Sequence, residues 1–300
     1  MKRKDFGELV AALRQDLGWT QSDLAEYADI DDAVVSQIER GVKKYFEPHL
    51  LFQLANAFQL TTLERREFWL AASGLDQSEM VRQPSPAMST DVFNVRKVLD
   101  KMIELTGQVR LPAFLWDVYG DIIAANNIII SLFRVPPEYV KTAGKIPAGY
   151  NVCRFSFGKD LVARSRVIGN WDQFALNSMR AFRENSLRYR AQPYFKYLMK
   201  IFRNETEYPL FNRYWKMVSS IEQDKEVNTD YYAYRHSEFG DIKYISSSLV
   251  SITSFGELLL VQFLPLDGST SQIFEQLAQE AGQGATTLAP WPVKTFPSSP

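Results

Sequence analysis

The segment TQSDLAEYADIDDAVVSQIERG, residues 20–41, decides the fold of the first part of the chain. Its apolar side chains recur at helical spacing in two short runs, which predicts two helices joined by a tight turn. Thr20 and Asp31 carry side-chain oxygens of the kind that cap helix N-termini, and Gly41 can end the second helix. This arrangement is typical of proteins that place a helix in the major groove of DNA. The pair Asp31-Asp32 opposes that interpretation, because DNA is a polyanion.

Helical periodicity extends on both sides of this segment, over residues 6–72. Apolar residues at i, i+4, i+7 and i+11 define a first helix. A fourth helix follows Pro48, and a fifth begins near Leu63. The connections between the helices are short. We therefore predict an all-α domain of five helices over residues 1–75, followed by a linker over residues 76–90 that contains the unperiodic stretch RQPSPAMST.

The charge of this first domain argues against a simple DNA-binding surface. Residues 1–75 contain nine Lys and Arg residues against twelve Asp and Glu residues, a net charge of −3. A DNA-binding domain is normally basic, because Lys and Arg neutralise phosphates. A local basic face can still bind when the acidic residues lie elsewhere, and dimerisation would double the contacts. We expect modest, salt-sensitive affinity.

The segment resembles the helix-turn-helix of the Xre/Cro/repressor-type transcription regulators. The matching positions are Thr20-Gln21, Leu24-Ala25, Ile30, Ser36, Ile38-Glu39 and Gly41. The resemblance implies that the third helix enters the major groove and that the contacts to DNA come from Gln21, Asp32, Ala33, Ser36, Gln37, Lys43 and Lys44. The alternative is a helical bundle with another purpose.

The resemblance gives several of these residues a specific chemical role. Gln37 can form two hydrogen bonds with an adenine edge, and Ala33 can contact a thymine methyl group. Gln21 and the two lysines are expected beside phosphates. Asp32 only accepts hydrogen bonds, so that it either reads the cytosine amino group or is a solvated acid favoured by the helix dipole. Both interpretations of Asp32 stay open.

The second part of the chain, residues 91–282, changes from helical to strand periodicity and back. After a helix near residues 91–106, the stretch PAFLWDVYGDIIAANN predicts a β-hairpin. Helical segments follow to about residue 219, and residues 229–266 contain three strand-like runs. We predict an α+β domain with one antiparallel sheet of about five strands and inserted helices. A last helix precedes residues 283–300, which are predicted to be disordered.

The order of motifs in this second part resembles the MmyB-like regulators, in which an Xre-type domain precedes a PAS-like ligand-binding domain. The resemblance rests on ERREFWLAA at residues 64–72, the hairpin stretch above, YNVCRF, NWDQF, LFNRYW and RHSEFG. It implies a DNA-binding transcription regulator with a ligand-sensing domain. One departure is Ser237, which follows His236 where the family tends to have proline.

Large side chains predict an apolar cavity in the second domain. Tyr232, Tyr234 and His236 alternate along one predicted strand and share a face, as do Phe114 and Trp116 on another. Helical side chains are expected to cover that face, and polar ones to bind a polar end of the ligand. The covering candidates are Trp171, Phe174, Phe195, Phe211 and Trp215, and the polar candidates are Asn126, Asn151, Arg180 and Arg183 with His236. The alternatives are a packed aromatic core without a cavity and a structural role for His236.

Apolar walls with few polar groups suit a small hydrophobic ligand. We expect a fatty-acid-like effector whose carboxylate meets an Arg, Asn or His side chain. No cofactor is expected to be required, since two histidines and one cysteine cannot form a His/Cys metal site. The sequence also contains no phosphate-binding glycine loop and no nucleophile elbow. The chain is therefore predicted to bind its ligand and not to be an enzyme.

Partners and location follow from composition. The single cysteine fits a reducing compartment, and neither a signal peptide nor an apolar run of about 18 residues occurs. We expect a cytoplasmic, nucleoid-associated homodimer that binds double-stranded DNA and a small apolar ligand and does not contact membranes. The competing hypothesis is a degenerate helix-turn-helix protein that serves as a protein-interaction or sensor module.

Overall fold

A computed structural model describes residues 3–43, 45–74, 94–159, 167–168, 171–220, 231–253 and 256–297. Its first part contains five helices, α1 Arg3–Asp16, α2 Gln21–Ala28, α3 Asp32–Glu39, α4 Pro48–Ala57 and α5 Thr62–Ser73. The predicted five-helix domain is confirmed. The predicted linker, residues 76–90, lies outside the described residues.

Side-chain caps fix where these helices begin. Thr20 accepts a hydrogen bond from the backbone of Asp23, and the Asp23 carboxylate accepts one from the backbone of Thr20. Thr61 and Glu64 form the same reciprocal pair at the start of α5. Asp31 caps α3 by accepting a hydrogen bond from a backbone N–H of its first turn at 2.7 Å. Each cap stabilises its helix by about 1 kcal/mol, so that the acid at position 31 belongs to the helix itself.

The apolar faces of the five helices meet in one core. Each helix contributes a side chain that is at most 1% exposed, in chain order Phe6, Leu24, Ile38, Leu54 and Phe68. One side chain from far along the sequence, Leu187, is buried in the same cluster. The first domain is therefore packed against a part of the second.

The second part begins with α6 Val95–Gln108 and continues with seven strands, seven more α-helices and the 3-10 helices Ala143–Lys145 and Leu187–Tyr189 among the described residues. The strands are β1 Ala113–Asp117, β2 Ile122–Asn126, β3 Val167–Ile168, β4 Tyr231–His236, β5 Gly240–Thr253, β6 Gly256–Pro265 and β7 Ala285–Thr287. The helices are α7 Asn127–Leu132, α8 Pro137–Thr142, α9 Val152–Phe157, α10 Trp171–Ser186, α11 Pro193–Phe202, α12 Phe211–Ser220 and α13 Gly268–Ala281. No helix of the described part is long and apolar enough to cross a membrane.

The strands form one antiparallel sheet in the order β3-β4-β5-β6-β1-β2-β7. An antiparallel sheet with inserted helices is thus confirmed, but the predicted number of about five strands is too small, since seven pair. β3 and β7 are only two and three residues long. Such short strands show no alternation of apolar and polar residues, so that sequence periodicity cannot reveal them.

Alternate side chains of the sheet enter two apolar layers. On one face, Leu115, Ile123 and Leu258 are fully buried and pack with α6. On the opposite face, Trp116 and Phe263 pack with apolar side chains of α7 and α13. Both faces of the sheet are therefore covered at β1 and β6, as their runs of apolar residues require, whereas Leu249, Val250 and Ile252 of β5 are exposed.

Helices α9 to α12, which we call the helical block, have an aromatic core of their own. Phe182 of α10 stacks on Phe195 of α11 with ring centroids 6.0 Å apart, and Phe202 lies 5.3 Å from Phe211 of α12. These four rings are at most 1% exposed. The block lies between the sheet and α5, because α10 contacts elements of both.

Residues 285–297 pack against the second domain, which corrects the prediction that residues 283–300 are disordered. β7 pairs with β2, Lys294 binds buried carboxylates, and the ring of Phe296 lies 5.3 Å from that of Tyr194. A three-residue strand and single anchoring side chains hold this segment, and neither leaves a periodic pattern in the sequence. Residues 298–300 lie outside the described residues.

Candidate DNA interface and ligand site

Helix α3 presents a polar face to solvent. Asp32, Ala33 and Gln37 are exposed and Ser36 is half-buried, whereas Val35 and Ile38 on the apolar face are fully buried in the core. Four of the residues predicted to contact DNA therefore lie on one accessible helix, which is the geometry needed to reach base edges in the major groove. Their contact with particular bases stays a prediction.

Glu39 ties the first three helices together. Arg14 of α1 donates to both of its carboxylate oxygens, at 2.7 and 3.0 Å, and Nε2 of Gln21 donates to one of them at 2.7 Å. The pair Arg14–Glu39 is largely buried. Gln21, expected beside a phosphate, thus has one amide hydrogen bound within the protein and stands at the N-terminus of α2, where an anion is favoured.

Asp32 has a partner that neither interpretation of it foresaw. Its Oδ2 accepts a hydrogen bond from Oγ of Ser22 at 2.9 Å, which joins the first turns of α2 and α3. Both side chains are exposed. The bond gives Asp32 a local structural role beside the two predicted ones.

The loop after α3 carries the remaining predicted phosphate contacts. Lys43 is half-buried, and its backbone N–H donates to the carbonyl of Gln37 at 3.2 Å. Lys44 lies outside the described residues. Val42 and Tyr45 beside them are 59% and 80% exposed. The loop that follows the exposed helix is therefore itself open to a large ligand.

A buried ionic cluster joins the first domain to the second. Glu64 of α5 is 0% exposed, and Arg183 of α10 donates to each of its carboxylate oxygens at 3.1 Å. Arg190, which is 3% exposed, donates to the same carboxylate. Burial raises the pKa of Glu64, but the two guanidinium groups outweigh this effect and hold the pKa below its usual value. Glu64 is therefore ionised and fully paired.

Two further ion pairs flank this cluster. Oδ1 of Asp16 accepts from Arg203 at 3.2 Å, and Oε2 of Glu67 lies 2.8 Å from Nε of Arg188. Together with Glu64, three acids of the first domain thus pair with arginines of the second. The acidic balance of the first domain is explained in part by this interface, since these acids do not face the accessible side of α3.

Glu184 adds a titratable group at the same interface. Its Oε1 accepts a hydrogen bond from Oγ1 of Thr61 at 2.8 Å. Burial raises the pKa of Glu184 to about 7; the bond from Thr61 opposes the rise, the charge of Glu64 adds to it, and Arg180 and Arg183 oppose it. The contact between the domains therefore contains a carboxyl group that changes charge near neutral pH.

The residues predicted to bind a ligand fall into two clusters. The sheet face carries Phe114, Trp116, Tyr232, Tyr234 and His236. Trp171, Phe195, Phe211 and Trp215 belong instead to the core of the helical block. The expectation that all the helical aromatic residues cover the sheet face is therefore corrected. Helices α11 and α12 are strongly amphipathic and bury their apolar sides within the block. Their aromatic residues therefore do not cover the sheet face.

Helix α10 connects the two clusters. The ring of Phe174 meets that of Tyr232 edge-on, with centroids 5.7 Å apart, and lies 5.4 Å from Trp171. Further along the same side of the helix, Ala181 packs against the sheet-face cluster. Phe174 and Tyr232 are half-buried, whereas Trp116 is 6% exposed. We call the layer between α10 and the sheet face, lined by Trp116, Phe174 and Tyr232, the ligand layer.

Two buried donors of the ligand layer lack a hydrogen-bond partner within the described part of the protein. They are Nε1 of Trp116 and Nδ2 of Asn177, whose residues are 6% and 7% exposed. Asn177 lies three residues after Phe174 and four before Ala181, so that it shares their side of α10. An unpaired buried donor costs about 1–3 kcal/mol. Sequence reasoning missed Asn177, although its spacing from Phe174 was a usable signal.

The predicted polar anchors are bound within the protein. Asn126 donates to two backbone carbonyls, at 2.8 and 3.2 Å, and caps α7. Asn151 donates to Asp121 at 2.9 Å and caps α9, and Arg183 binds Glu64. These side chains hold the fold together through the bonds described, and their contact with a ligand stays a prediction. Sequence alone could not distinguish the two uses, because both require a buried amide or guanidinium group.

His236 stabilises the turn between β4 and β5. Its Nδ1 accepts hydrogen bonds from the backbone N–H groups of Glu238 and Phe239 at 3.1 and 3.2 Å. The imidazole also stacks on the Phe239 ring with centroids 4.7 Å apart. This geometry agrees with the structural alternative for His236. Arg180 is half-buried and lies near Glu184 at the domain interface.

A second buried ionic cluster, unforeseen from the sequence, lies beneath the C-terminal segment. Nζ of Lys294 is 2.5 Å from Asp117 and 2.8 Å from Asp121, and all three side chains are at most 6% exposed. The hydroxyl of Tyr194 donates to Asp121 at 2.6 Å. Burial raises the pKa of Asp117 to about 6 against the opposing effect of Lys294. The carboxylates flank the predicted hairpin turn, but their distant lysine partner leaves no spacing signal.

Comparison with known proteins agrees with this architecture. The sequence profile of the MmyB-like transcription regulator ligand binding domain matches residues 95–277, which is more than half of the chain. The chain belongs to this family. A second profile, that of a helix-turn-helix domain, matches residues 10–65 of the MmyB-like protein. This range contains α2, α3 and α4 and parts of the helices on either side.

This MmyB-like chain is also similar to the competence pilus inhibition repressor of Acinetobacter baylyi (strain ATCC 33305 / BD413 / ADP1). The two are 29% identical over 92 residues, which cover 31% of this chain and 80% of the repressor. The predicted resemblance to Xre-type and MmyB-like regulators is confirmed. The protein is a DNA-binding transcription regulator with a ligand-binding domain.

Proposed function

We propose that this protein is a sequence-specific transcription regulator. It reads DNA with α3, and a small hydrophobic ligand bound in the ligand layer modulates its DNA binding. The accessible polar face of α3 supports the DNA-reading half. Glu39 holds that helix against α1 and α2 through Arg14 and Gln21, so that the reading face is presented rigidly. A preorganised helix needs no further ordering on binding, which favours specific recognition.

The observation that carries the ligand-binding half is the pair of unpaired buried donors in an aromatic layer. Nε1 of Trp116 and Nδ2 of Asn177 each need an acceptor. An apolar chain that ends in a carboxylate supplies both the apolar contact and the acceptor oxygens. We therefore infer a fatty-acid-like effector whose carboxylate is held by these two donors. The role consists of binding, without a chemical step on the ligand.

A homodimer is part of the proposal. The first domain has a net charge of −3, so that one copy has only a weak net attraction to phosphates. Two copies on adjacent half-sites double these contacts and give the regulator its affinity. A ligand that binds more tightly when the two DNA-binding domains have one spacing than when they have another then changes the affinity for DNA.

Sodium tetradecanoate, titrated into delipidated full-length protein, tests the ligand proposal. We expect the melting temperature to rise and the affinity for DNA to change at the same half-saturating concentration. Tetradecyltrimethylammonium is the matched control, because it has the same chain length and no acceptor. Absence of any effect of tetradecanoate, together with absence of acyl chains in lipid extracted from purified protein, would reject the fatty-acid-like effector.

A further inference from the structure

The contact between the two domains combines ion pairs with apolar packing. The second domain contributes Arg183, Leu187, Arg188, Arg190 and Arg203, which we call the docking surface. Leu187 is 0% exposed and lies in the core of the first domain. A residue of one domain that completes the core of the other indicates a defined docked arrangement.

Glu64 is the centre of this contact. Arg183 and Arg190 donate to its carboxylate, and the backbone N–H of Thr61 donates to it at 3.0 Å. Removal of one partner from a buried ion pair leaves an uncompensated charge, which is strongly unfavourable. A partly open contact at Glu64 is therefore disfavoured, and the two domains are either docked or separated at this point.

Docking also changes the electrostatics of the DNA-binding domain. Asp16, Glu64 and Glu67 are paired with arginines only while the domains are docked. On separation, three acids become exposed on a domain whose net charge is −3, and four arginines leave it. Because DNA binding depends on the net attraction to phosphates, the docked arrangement binds DNA more tightly.

Trp215 of α12 connects the docking surface to the helical block. The guanidinium carbons of Arg183 and Arg190 lie 5.0 and 5.1 Å from the centroid of its ring, and its carbonyl accepts from Arg183 at 2.9 Å. The same ring stacks on Phe211 with centroids 5.8 Å apart. A movement of α12 relative to α10 therefore displaces both arginines that bind Glu64.

We propose that Glu64, Arg183 and Arg190 form a positioning lock that holds the DNA-reading head in the arrangement competent to bind DNA. This inference rests on the proposed function, because it takes α3 as the DNA-reading helix and the ligand layer as the regulatory site. The helix that carries Arg183 also carries Phe174 of the ligand layer. A ligand that shifts α10 consequently acts on the lock through one rigid element, and opening of the lock releases DNA.

The variants Glu64→Gln and Glu8→Gln test the lock in the full-length protein. Each removes one negative charge from the DNA-binding domain, but Glu8 is exposed on α1, where it forms a surface pair with Lys4 at 3.9 Å. If net charge alone controlled affinity, both variants would bind a short mixed-sequence duplex more tightly than wild type. The lock predicts that Glu64→Gln binds about fivefold more weakly or worse, while Glu8→Gln binds at least as tightly as wild type. Fluorescence anisotropy at low salt measures both.

Leu187→Ala provides a second way to open the contact without a change in charge. Its effect has the same direction as that of Glu64→Gln, and it replaces that variant if circular dichroism shows Glu64→Gln to be unfolded. Folded variants that bind the duplex as tightly as wild type would overturn the lock and leave the proposed function intact. Wild-type protein that binds no duplex at all would overturn the proposed function and the lock together.

Discussion

Nζ of Lys294 lies 2.5 Å from Oδ2 of Asp117, and both side chains are almost completely buried although one belongs to the C-terminal segment and the other to strand β1. The C-terminal segment is thus a structural part of the ligand-binding domain. Asp121 shares the ammonium group at 2.8 Å. Two carboxylates and one cation leave the cluster with a net negative charge in a buried place, so that its stability depends on the cation and on pH.

Lys294→Met is expected to destabilise the protein by about 3–5 kcal/mol at pH 8, because it leaves buried carboxylates without a cation. The loss should be smaller at pH 5. The pKa of Asp117, already raised to about 6, rises further without Lys294, and protonation at pH 5 then removes one of the two uncompensated charges. Urea unfolding at both pH values measures the difference. Lys196→Met, at an exposed lysine of α11, is the control, and an equal loss at both pH values would contradict the assignment.

Asn177→Leu is expected to change stability and ligand affinity in different directions. The ligand-free variant should be as stable as wild type to within about 0.5 kcal/mol or more stable. Removal of an unpaired buried donor, which costs about 1–3 kcal/mol, outweighs the loss of the acceptor that Gln173 uses at 2.9 Å. Its affinity for tetradecanoate should fall by roughly tenfold or more, the loss of a hydrogen bond to a charged group. Differential scanning fluorimetry and isothermal titration calorimetry give the two quantities.

Asn185→Leu is the matched control for this variant. Asn185 lies on the same helix, but its amide donates to the carbonyl of Ala181 at 2.8 Å. Its replacement should leave tetradecanoate affinity unchanged. Unchanged affinity in Asn177→Leu as well, with wild-type protein binding the acid normally, would show that Asn177 does not hold the ligand.

Glu184→Gln is expected to reduce the pH dependence of stability between pH 5 and pH 8. In the folded protein, burial raises the pKa of Glu184 to about 7 from an ordinary value of 4.5. The folded state therefore holds a proton that the unfolded chain releases, so that this group stabilises the fold at low pH and loses that contribution as pH rises through about 7. The glutamine keeps an acceptor for Thr61 without titrating. Urea unfolding between pH 5 and pH 8 measures the free energy of unfolding of wild type and variant. Glu275→Gln, at an exposed site of α13, is the control. The prediction would be rejected if the free energy of unfolding depended on pH in the same way for all three proteins.

Asp32→Asn is expected to strengthen binding to all DNA at low salt. The variant removes a negative charge near phosphates, and its side chain can still accept the hydrogen bond that Ser22 now gives to Asp32. Stability should remain within about 0.5 kcal/mol of wild type. Fluorescence anisotropy measures the affinity of wild type and variant for mixed-sequence duplexes. A loss of preference at one base pair of about 1–3 kcal/mol, with unchanged affinity for mixed sequence, would instead identify Asp32 as a reader of cytosine.

The first domain could be predicted from sequence because its determinants are local. Thr20 and Asp31 cap helices within three residues of themselves, and the apolar spacing of each helix is visible in a short window. The longer strands of the antiparallel sheet could be predicted for the same reason, because a strand of more than about four residues shows its pattern within a short window. β3 and the paired segment around β7 are shorter, and only long-range hydrogen bonds define them.

The site was less predictable, since its decisive contacts join residues far apart in the chain. The sequence around Glu64 is typical of a helix cap, which predicts a capping role at the start of α5. No neighbouring residue in the sequence indicates that Arg183 and Arg190 also bind Glu64. Asn126 and Asn151 have the chemistry of ligand anchors, but their partners are backbone carbonyls and a carboxylate of the same fold. Asn177 is the residue that the spacing on α10 could have indicated.

Selection of bound fragments from a random duplex library measures whether α3 reads DNA sequence. We predict that the wild-type protein enriches a defined set of sequences and that Gln37→Ala loses the preference for adenine at one position, at about 1–3 kcal/mol, while its affinity for mixed sequence is retained. Gln15→Ala, at an exposed position of α1 away from the motif, should enrich the same set as wild type. No enrichment by wild-type protein, or an identical set for Gln37→Ala, would show that α3 does not read DNA sequence.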